Sequence, residues 1–170
     1  MISRATSLKR ILEIGSPCNK CGHCCKFNSG LVTEQDIDAI SESLNMDRDV
    51  FIQAYLEEIE MFHTKIFRFK INKEDDKPYG KCVFFSGSEG CKIHSVKPIF
   101  CQTSNCFAYS QDLIAWFYLN YLVNPDDPQS IRDYASYLES EGKLIPGGHL
   151  HEIVLDSERL RKILNYEELL

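Results

Sequence analysis

Four cysteines near the start of the chain, spaced C-x2-C-x2-C-C from Cys18 to Cys25, constrain the fold more than any other feature. A C-x2-C step lets two sulfurs turn back toward one ion, at about 2.3 Å from zinc. A loop or a single turn can therefore aim Cys18, Cys21 and Cys24 at one point, and we place that loop at 16–30. The Cβ vectors of adjacent residues diverge, so we expect Cys24 and Cys25 to serve different centres, or one to ligate while the other packs. The spacing predicts a metal–thiolate site.

Four more cysteines follow with the spacing C-x8-C-x9-C-x4-C, from Cys82 to Cys106. None of them forms a close C-x2-C pair, so we expect this group to complete sites that the first group begins. Two ions with four thiolates each, or one 4Fe–4S cluster with four cysteines left over, both satisfy the number of cysteines. The expected cofactor is therefore zinc or iron. The candidate metal ligands are Cys18, Cys21, Cys24, Cys25, Cys82, Cys91, Cys101 and Cys106.

Disulfide bonds are one alternative for these cysteines, because their number is even, and unligated buried or redox-active thiols are another. With 170 residues, 44% of them hydrophobic, the chain can build its own core and needs no covalent staples. Residues 1–15 lack the apolar run and the cleavage site of a signal peptide. The longest apolar stretch, 113–123, is well short of the about 20 residues that span a bilayer. We therefore expect a cytoplasmic protein with reduced thiols and no membrane partner.

The net charge of −6 bears on the partners of the chain. Broad binding to nucleic acid needs a basic face that releases counterions from the phosphates. An acidic chain does not suit that role, so we expect no nucleic acid partner. The expected partner is a metal ion, with another protein as a further candidate.

Hydrophobic periodicity and capping residues predict one α+β domain over 1–170, mostly helical, with a small antiparallel hairpin. The cysteine-rich metal-binding region covers about 16–106, and the C-terminal helical part about 110–168. We expect Phe67, Phe69 and Ile71 on the inward face of the first strand. A helix or an N-terminal arm is predicted at 6–14, helices at 34–44, 48–56, 112–123, 128–142 and 157–165, and strands at 65–71, 82–85 and 151–155.

Four segments of this sequence, 18–25, 31–37, 80–85 and 91–101, resemble the YkgJ-type cysteine-cluster proteins. That family is described as chelating zinc or iron, and the flagellin lysine N-methylases related to FliB contain a similar cluster. Cys106 lies outside the matched pattern. The resemblance implies that the family's cysteine positions are Cys18, Cys21, Cys24, Cys25, Cys82, Cys91 and Cys101.

Three positions depart from the family pattern C-x-I-Y-x-x-R-P-x-x-C-R: His94 stands for Tyr, Lys97 for Arg and Gln102 for Arg. Lysine offers a point charge in place of a bidentate guanidinium, which weakens any role that needs the latter. His94 also follows Cys91 in a C-x2-H step, which can supply a nitrogen ligand. For His94, and for His23 in the first loop, we favour a hydrogen bond near the site or a surface position.

The main functional interpretation is a metal-binding module whose cysteines fill every coordination position, leaving no open site for water or substrate. A redox iron–sulfur protein is the first alternative. A protein-lysine N-methyltransferase of the flagellin N-methylase type is the second, by resemblance only, and the sequence shows no identifiable glycine-rich loop for S-adenosylmethionine. No catalytic residue is assigned, because no Cys–His–Asn or Cys–His–Asp arrangement can be read from the spacing.

Overall fold

Helices and small antiparallel sheets make up the architecture of the computed structural model, which describes residues 1–18, 20–27, 29–73, 77–104, 106 and 108–169. The helices are α1 (Leu8–Gly15), α2 (His23–Phe27), α3 (Glu34–Ser43), α4 (Arg48–Tyr55), α5 (Ile99–Thr103), α6 (Ser110–Tyr121), α7 (Pro128–Glu139), α8 (Leu150–Ile153) and α9 (Ser157–Leu164). The strands are β1 (Leu31–Val32), β2 (Leu56–Met61), β3 (Thr64–Phe69), β4 (Ile71–Lys73), β5 (Gly80–Cys82), β6 (Phe85–Ser86) and β7 (Gly90–Cys91). The predicted α+β class is confirmed.

Helix starts are set by side chains that accept hydrogen bonds from the first free backbone N–H groups. Thr33 and Asp36 form the capping box of α3, as the T-x-x-D pattern predicts. The side chain of Asp127 accepts from the N–H groups of Gln129 and Ser130 at the start of α7. The remaining helix starts with a side-chain cap follow the same rule, with Ser7 at α1, Asp47 at α4 and Asp156 at α9.

The largest sheet contains a strand that the sequence pattern does not predict. Its strand order is β1-β3-β2, and β2 pairs with β3 in an antiparallel register that places Glu57 opposite Arg68. The helix predicted to reach Leu56 instead ends at Tyr55, where β2 begins. Glutamate-rich segments have a low strand propensity, but Glu57 forms an ion pair with Arg68 at 2.7 Å across the two strands.

Strand β3 is buried on both faces, at different points along its length. Ile66 packs into one hydrophobic cluster and Phe69 into another, so the strand lies between two cores. Phe69 is buried as predicted, whereas Phe67 and Ile71 are only half-buried and Ile66 is buried in their place. Phe67 packs against the same cluster as Phe69, so the inward position predicted for these two residues agrees with the structure. The burial of Ile66 in the other cluster was not predicted.

Two further local predictions differ from the structure. Residues 150–153 form the short helix α8, so the strand predicted at 151–155 is wrong. The carboxylate of Glu152 accepts from the backbone N–H of His149 at 3.0 Å, which favours a helical turn over an extended chain. The loop predicted at 16–30 contains α2, and this helix carries Cys24 and Cys25.

Two hydrophobic clusters organise the described residues. The first surrounds α6, whose side chains Leu113, Trp116 and Phe117 are buried. The second joins α3, α4 and the strands near Cys82 and Phe84. No helix in the described ranges is both long and apolar enough to cross a bilayer.

Candidate metal centre

One cavity of about 770 Å³ is lined by all eight cysteines of the chain. It lies where the two hydrophobic clusters meet, since Phe69 and Phe84 of the second cluster and Phe100 and Tyr118 of the first also line it. All eight cysteines are free thiols. The fold therefore brings the two cysteine groups of the sequence to one place, although they are far apart along the chain.

The first cysteine group begins in irregular backbone and continues into α2. Lys20 and Gly22, on either side of Cys21, have positive φ angles of 52° and 72°. A Cβ atom at Gly22 would lie 2.5 Å from a ring carbon of Phe85. Only glycine allows both this φ angle and this close packing on β6, so Gly22 fixes the position of the first loop against the second group.

Three cysteines of the second group lie in short strands and one helix. Cys82 ends β5 opposite Ile71, and Cys91 ends β7 opposite Phe85. Cys101 lies in α5, where its sulfur faces Gly30 so closely that a Cβ atom at Gly30 would collide with it. Strand pairing therefore places Cys82 and Cys91, and close packing against the distant Gly30 places Cys101.

Cys24 and Cys25 point to the same region, in contrast to the expectation that their side chains diverge. Their sulfur atoms are 3.8 Å apart. A tetrahedral ion with sulfur ligands at about 2.3 Å has sulfur–sulfur edges of about 3.8 Å, so this separation is compatible with one shared ion. The hydrogen bond between the two thiols lowers the pKa of Cys24 to about 6 and raises the pKa of Cys25 above its ordinary value.

Burial dominates the protonation of three cysteines in the second group, Cys82, Cys91 and Cys101. It raises the pKa of Cys82 to about 11, and it also raises the pKa values of Cys91 and Cys101. Cys106 is exposed, and its hydrogen bond to Cys21 raises its pKa. Metal binding by these thiols would release protons, because thiolates rather than thiols are the ligands.

The donor set of the cavity fits a thiophilic metal in its chemistry. In the described part of the chain, no three Cys, His, Asp or Glu side chains are already close enough to hold an ion. Lys20, Lys26 and Lys97 also line the cavity and can offset the negative charge of thiolates, whereas Glu89 is the one acidic residue among the described lining residues.

His94 is the only histidine among the described residues that line this cavity. Its Nε2 atom is buried and has no hydrogen-bond partner in the described structure. Burial, with the nearby charges of Lys97 and Lys20, lowers the pKa of His94. His23 instead lies outside the lining and packs its ring 5.1 Å from that of Phe27.

The cysteines singled out by the sequence pattern thus all meet in one place, but several residues that shape the site were not predicted. Gly30 and Tyr118 belong to this set, because nothing in their local sequence indicates a contact with the cysteines. His94 had one local signal, its C-x2-H step from Cys91, and the burial of Nε2 now adds a structural one.

Comparison with known proteins gives one match. The family model CxxCxxCC, described as a "putative zinc- or iron-chelating domain", matches residues 17–118. The matched segment contains every cysteine of the chain and His94. No curated protein and no solved structure matches the chain.

Proposed function

We propose that this chain, which belongs to the CxxCxxCC family, is a metal-binding protein that chelates zinc or iron through its clustered cysteine thiolates. The proposed ligands are the cysteines of both groups: Cys18, Cys21, Cys24, Cys25, Cys82, Cys91, Cys101 and Cys106. Bound there, the metal would cross-link the N-terminal loop to the segment from β5 to the residues after α5.

The observation that carries this proposal is the lining of a single cavity by all eight cysteines. A chain of this size has no need of clustered thiols for its stability, and the cavity walls could be formed by aliphatic side chains instead. Thiolates are the ligands that zinc and iron–sulfur clusters prefer. Convergence of this many thiols from separate loops, strands and helices therefore supports metal binding over simple packing.

Charge balance supports more than one metal atom in the cavity. Eight thiolates would carry eight negative charges, which a single divalent ion with nearby Lys20, Lys26 and Lys97 would not neutralise. Two zinc ions with four thiolates each leave four negative charges, close to the charge of the three lysines. We therefore favour two zinc ions over one.

An iron–sulfur cluster is the second candidate, and the aromatic side of the cavity favours it. Phe100 and Tyr118 form this aromatic wall. Such a wall lowers the local polarity, which is one of the factors that set the potential of a cluster. The hypothesis of a lysine N-methyltransferase rests on the resemblance of the cysteine cluster to flagellin N-methylases and stays a prediction.

Metal analysis with an absorption spectrum, on protein purified without air, tests the proposal. About two zinc ions per chain in a colourless sample would support the thiolate centre, and iron with inorganic sulfide and a brown colour would support a cluster. A variant with Cys82→Ser and Cys101→Ser should lose most of the metal, while His151→Ala, outside the cavity, should keep it. Wild-type protein without stoichiometric metal after reconstitution would refute the proposed function.

A further inference from the structure

We propose that His94 is a metal ligand through its Nε2 atom, so that the centre has mixed sulfur and nitrogen coordination. This inference rests on the proposed metal-binding function and names a ligand of the same cavity. It differs from an all-cysteine centre in a property that can be measured, the presence of a metal–nitrogen bond.

The first observation is the state of the imidazole. His94 lines the cysteine cavity. Its Nε2 atom is buried and forms no hydrogen bond in the described structure. A buried polar nitrogen without a partner is unfavourable, because it loses its bond to water and gains none in return. A metal ion in the cavity would remove that cost by accepting the lone pair of Nε2.

The second observation is the backbone that carries His94. Cys91 ends β7, and His94 begins the 3-10 turn His94–Val96 three residues later. The same step separates Cys18 from Cys21 in the first loop. The backbone N–H of Val96 donates to the carbonyl of Ile93 at 3.0 Å, so the turn is closed by its own hydrogen bond. Cys91 and His94 thus form a C-x2-H pair of the kind that can bind one ion.

The third observation is the position of His94 relative to the first loop. His94 lines the same cavity as Cys18, Cys21 and Cys24 of the first cysteine group. The imidazole therefore belongs to the cavity that the first group shares with Cys91. A nitrogen ligand at this point would join the two cysteine groups, as the thiolates do.

The other histidines of the chain have different surroundings. His63 bonds to Asp127, and the rings of His149 and His151 stack at 5.2 Å, away from the cavity. His23 lies in the first loop but outside the described lining of the cavity. His23 is therefore a matched control for His94, since it is close in the fold to the cysteines but is not proposed as a ligand.

A neutral imidazole changes the charge of the centre. When it replaces one thiolate ligand, the metal and its ligands together carry one negative charge fewer. This smaller charge is easier to balance in a cavity with few positive side chains. Zinc accepts such mixed cysteine and histidine sites readily. The displaced cysteine would remain as a free thiol. The zinc-loaded protein should therefore have one reactive thiol, whereas a centre that binds all eight cysteines should have none.

X-ray absorption on zinc-loaded wild-type protein provides the direct test, and zinc alone is the probe. We expect a nitrogen shell at about 2.0–2.1 Å with imidazole scattering, beside the sulfur shell at about 2.3 Å. His94→Ala should lose the nitrogen shell, and His23→Ala should keep it. Wild-type measurement does not depend on the folding of any variant, so a misfolded His94→Ala leaves the test intact.

The possible results separate this inference from the proposed function. Zinc bound in wild-type protein with a sulfur shell alone would overturn the role of His94 and leave metal chelation standing. A nitrogen shell that is unchanged in a folded, zinc-loaded His94→Ala variant would also overturn it. Failure of wild-type protein to bind zinc would refute both the proposed zinc centre and this inference.

Discussion

The Oδ1 atom of Asp36 accepts a hydrogen bond of 3.0 Å from the backbone N–H of Ile99, which is 63 residues away in the chain. Its Oδ2 atom accepts from the backbone N–H and the hydroxyl of Thr33, at 2.9 Å and 2.7 Å. One buried carboxylate therefore caps α3 and also holds the first residue of α5. Because α5 carries Cys101, this contact links the N-terminal helices to the wall of the cysteine cavity.

Replacing Asp36 by Ala should destabilise the protein and weaken metal binding together. The change leaves the buried N–H groups of Thr33 and Ile99 without their acceptor, which we expect to cost about 2–4 kcal/mol of unfolding free energy. Asp36→Asn keeps one carbonyl acceptor and should cost about half as much. Urea unfolding measures the loss of stability, and competition with a chromogenic chelator measures zinc affinity.

Asp38→Ala is the matched control for this change. Asp38 lies on the same helix, is exposed and forms an ion pair with Arg48 at 2.9 Å. Exposed pairs contribute about 0–1 kcal/mol, so this variant should stay close to wild type in stability and zinc affinity. Equal losses in Asp36→Ala and Asp38→Ala would contradict the linking role of Asp36.

Gly30→Ala should lower zinc affinity by displacing Cys101. A methyl group at Gly30 would occupy the place of the Cys101 sulfur, so this thiol would have to move. Overpacking of this kind costs about 1–3 kcal/mol, which corresponds to roughly a 5- to 150-fold loss of zinc affinity if the bound state takes the full cost. Isothermal titration with zinc under reducing conditions measures the affinity.

Gly87→Ala provides the control for the effect of the added methyl group. Gly87 also lines the cavity, but a Cβ atom there would meet no other atom within 4 Å. Its zinc affinity should therefore remain within about twofold of the wild-type value. If both alanine variants bind zinc like wild type, the close approach of Cys101 to Gly30 is not part of the metal-bound state.

Local chemistry explains which parts of this fold could be predicted from the sequence. The starts of α3, α4, α7 and α9 follow from Thr33, Asp47, Asp127 and Asp156, since a capping side chain acts on N–H groups two or three residues away. The meeting of Cys18, Cys21 and Cys24 could be predicted as well, because their spacing points to a shared ligand. Both kinds of signal depend on neighbours in the chain.

Contacts between distant residues explain what the sequence does not reveal. Strand β2 carries a glutamate-rich sequence and becomes a strand through its pairing with β3, so local propensity is misleading there. The T-x-x-D pattern shows that Asp36 caps α3, but nothing near it indicates that its second oxygen reaches Ile99. The burial of Nε2 in His94 likewise depends on the packing around the cavity rather than on the C-x2-H step.

Removal of metal should lower the melting temperature of the protein. A ligand that binds only the folded state at 100 to 1,000 times its dissociation constant adds about 2.7–4.1 kcal/mol to the unfolding free energy. For 170 residues this corresponds to about 5–15 °C. Thermal unfolding of reduced protein with and without a zinc chelator measures the shift, and chelator saturated with zinc is the control. Identical melting temperatures would contradict a metal that links the cysteine groups.

The turn between β2 and β3 joins the sheet to the C-terminal helices. Phe62 and His63 form this turn with positive φ angles of 49° and 55°. The ring of Phe62 packs edge-on against that of Tyr118 at 5.3 Å. His63 Nδ1 lies 2.6 Å from the carboxylate of Asp127, which also caps α7. The contact between His63 and Asp127 therefore connects the β2–β3 hairpin to the start of α7.

Replacing His63 by Asn should reduce stability at acidic pH more than at alkaline pH. The hydrogen bond and charge of Asp127, with smaller effects of Glu60 and Asp133, raise the pKa of His63 in the folded state. A raised pKa means that the ionic contribution is complete below the unfolded value of about 6.5 and disappears as the pH rises through the folded value. Asparagine tolerates the positive φ angle, so the change removes the charge with little backbone strain.

Urea unfolding of wild type and His63→Asn at pH 5.5 and pH 9 measures this difference in stability. His151→Asn is the control, because His151 lies outside the contact. An equal difference in unfolding free energy between wild type and His63→Asn at the two pH values would show that the charge of His63 does not stabilise this contact.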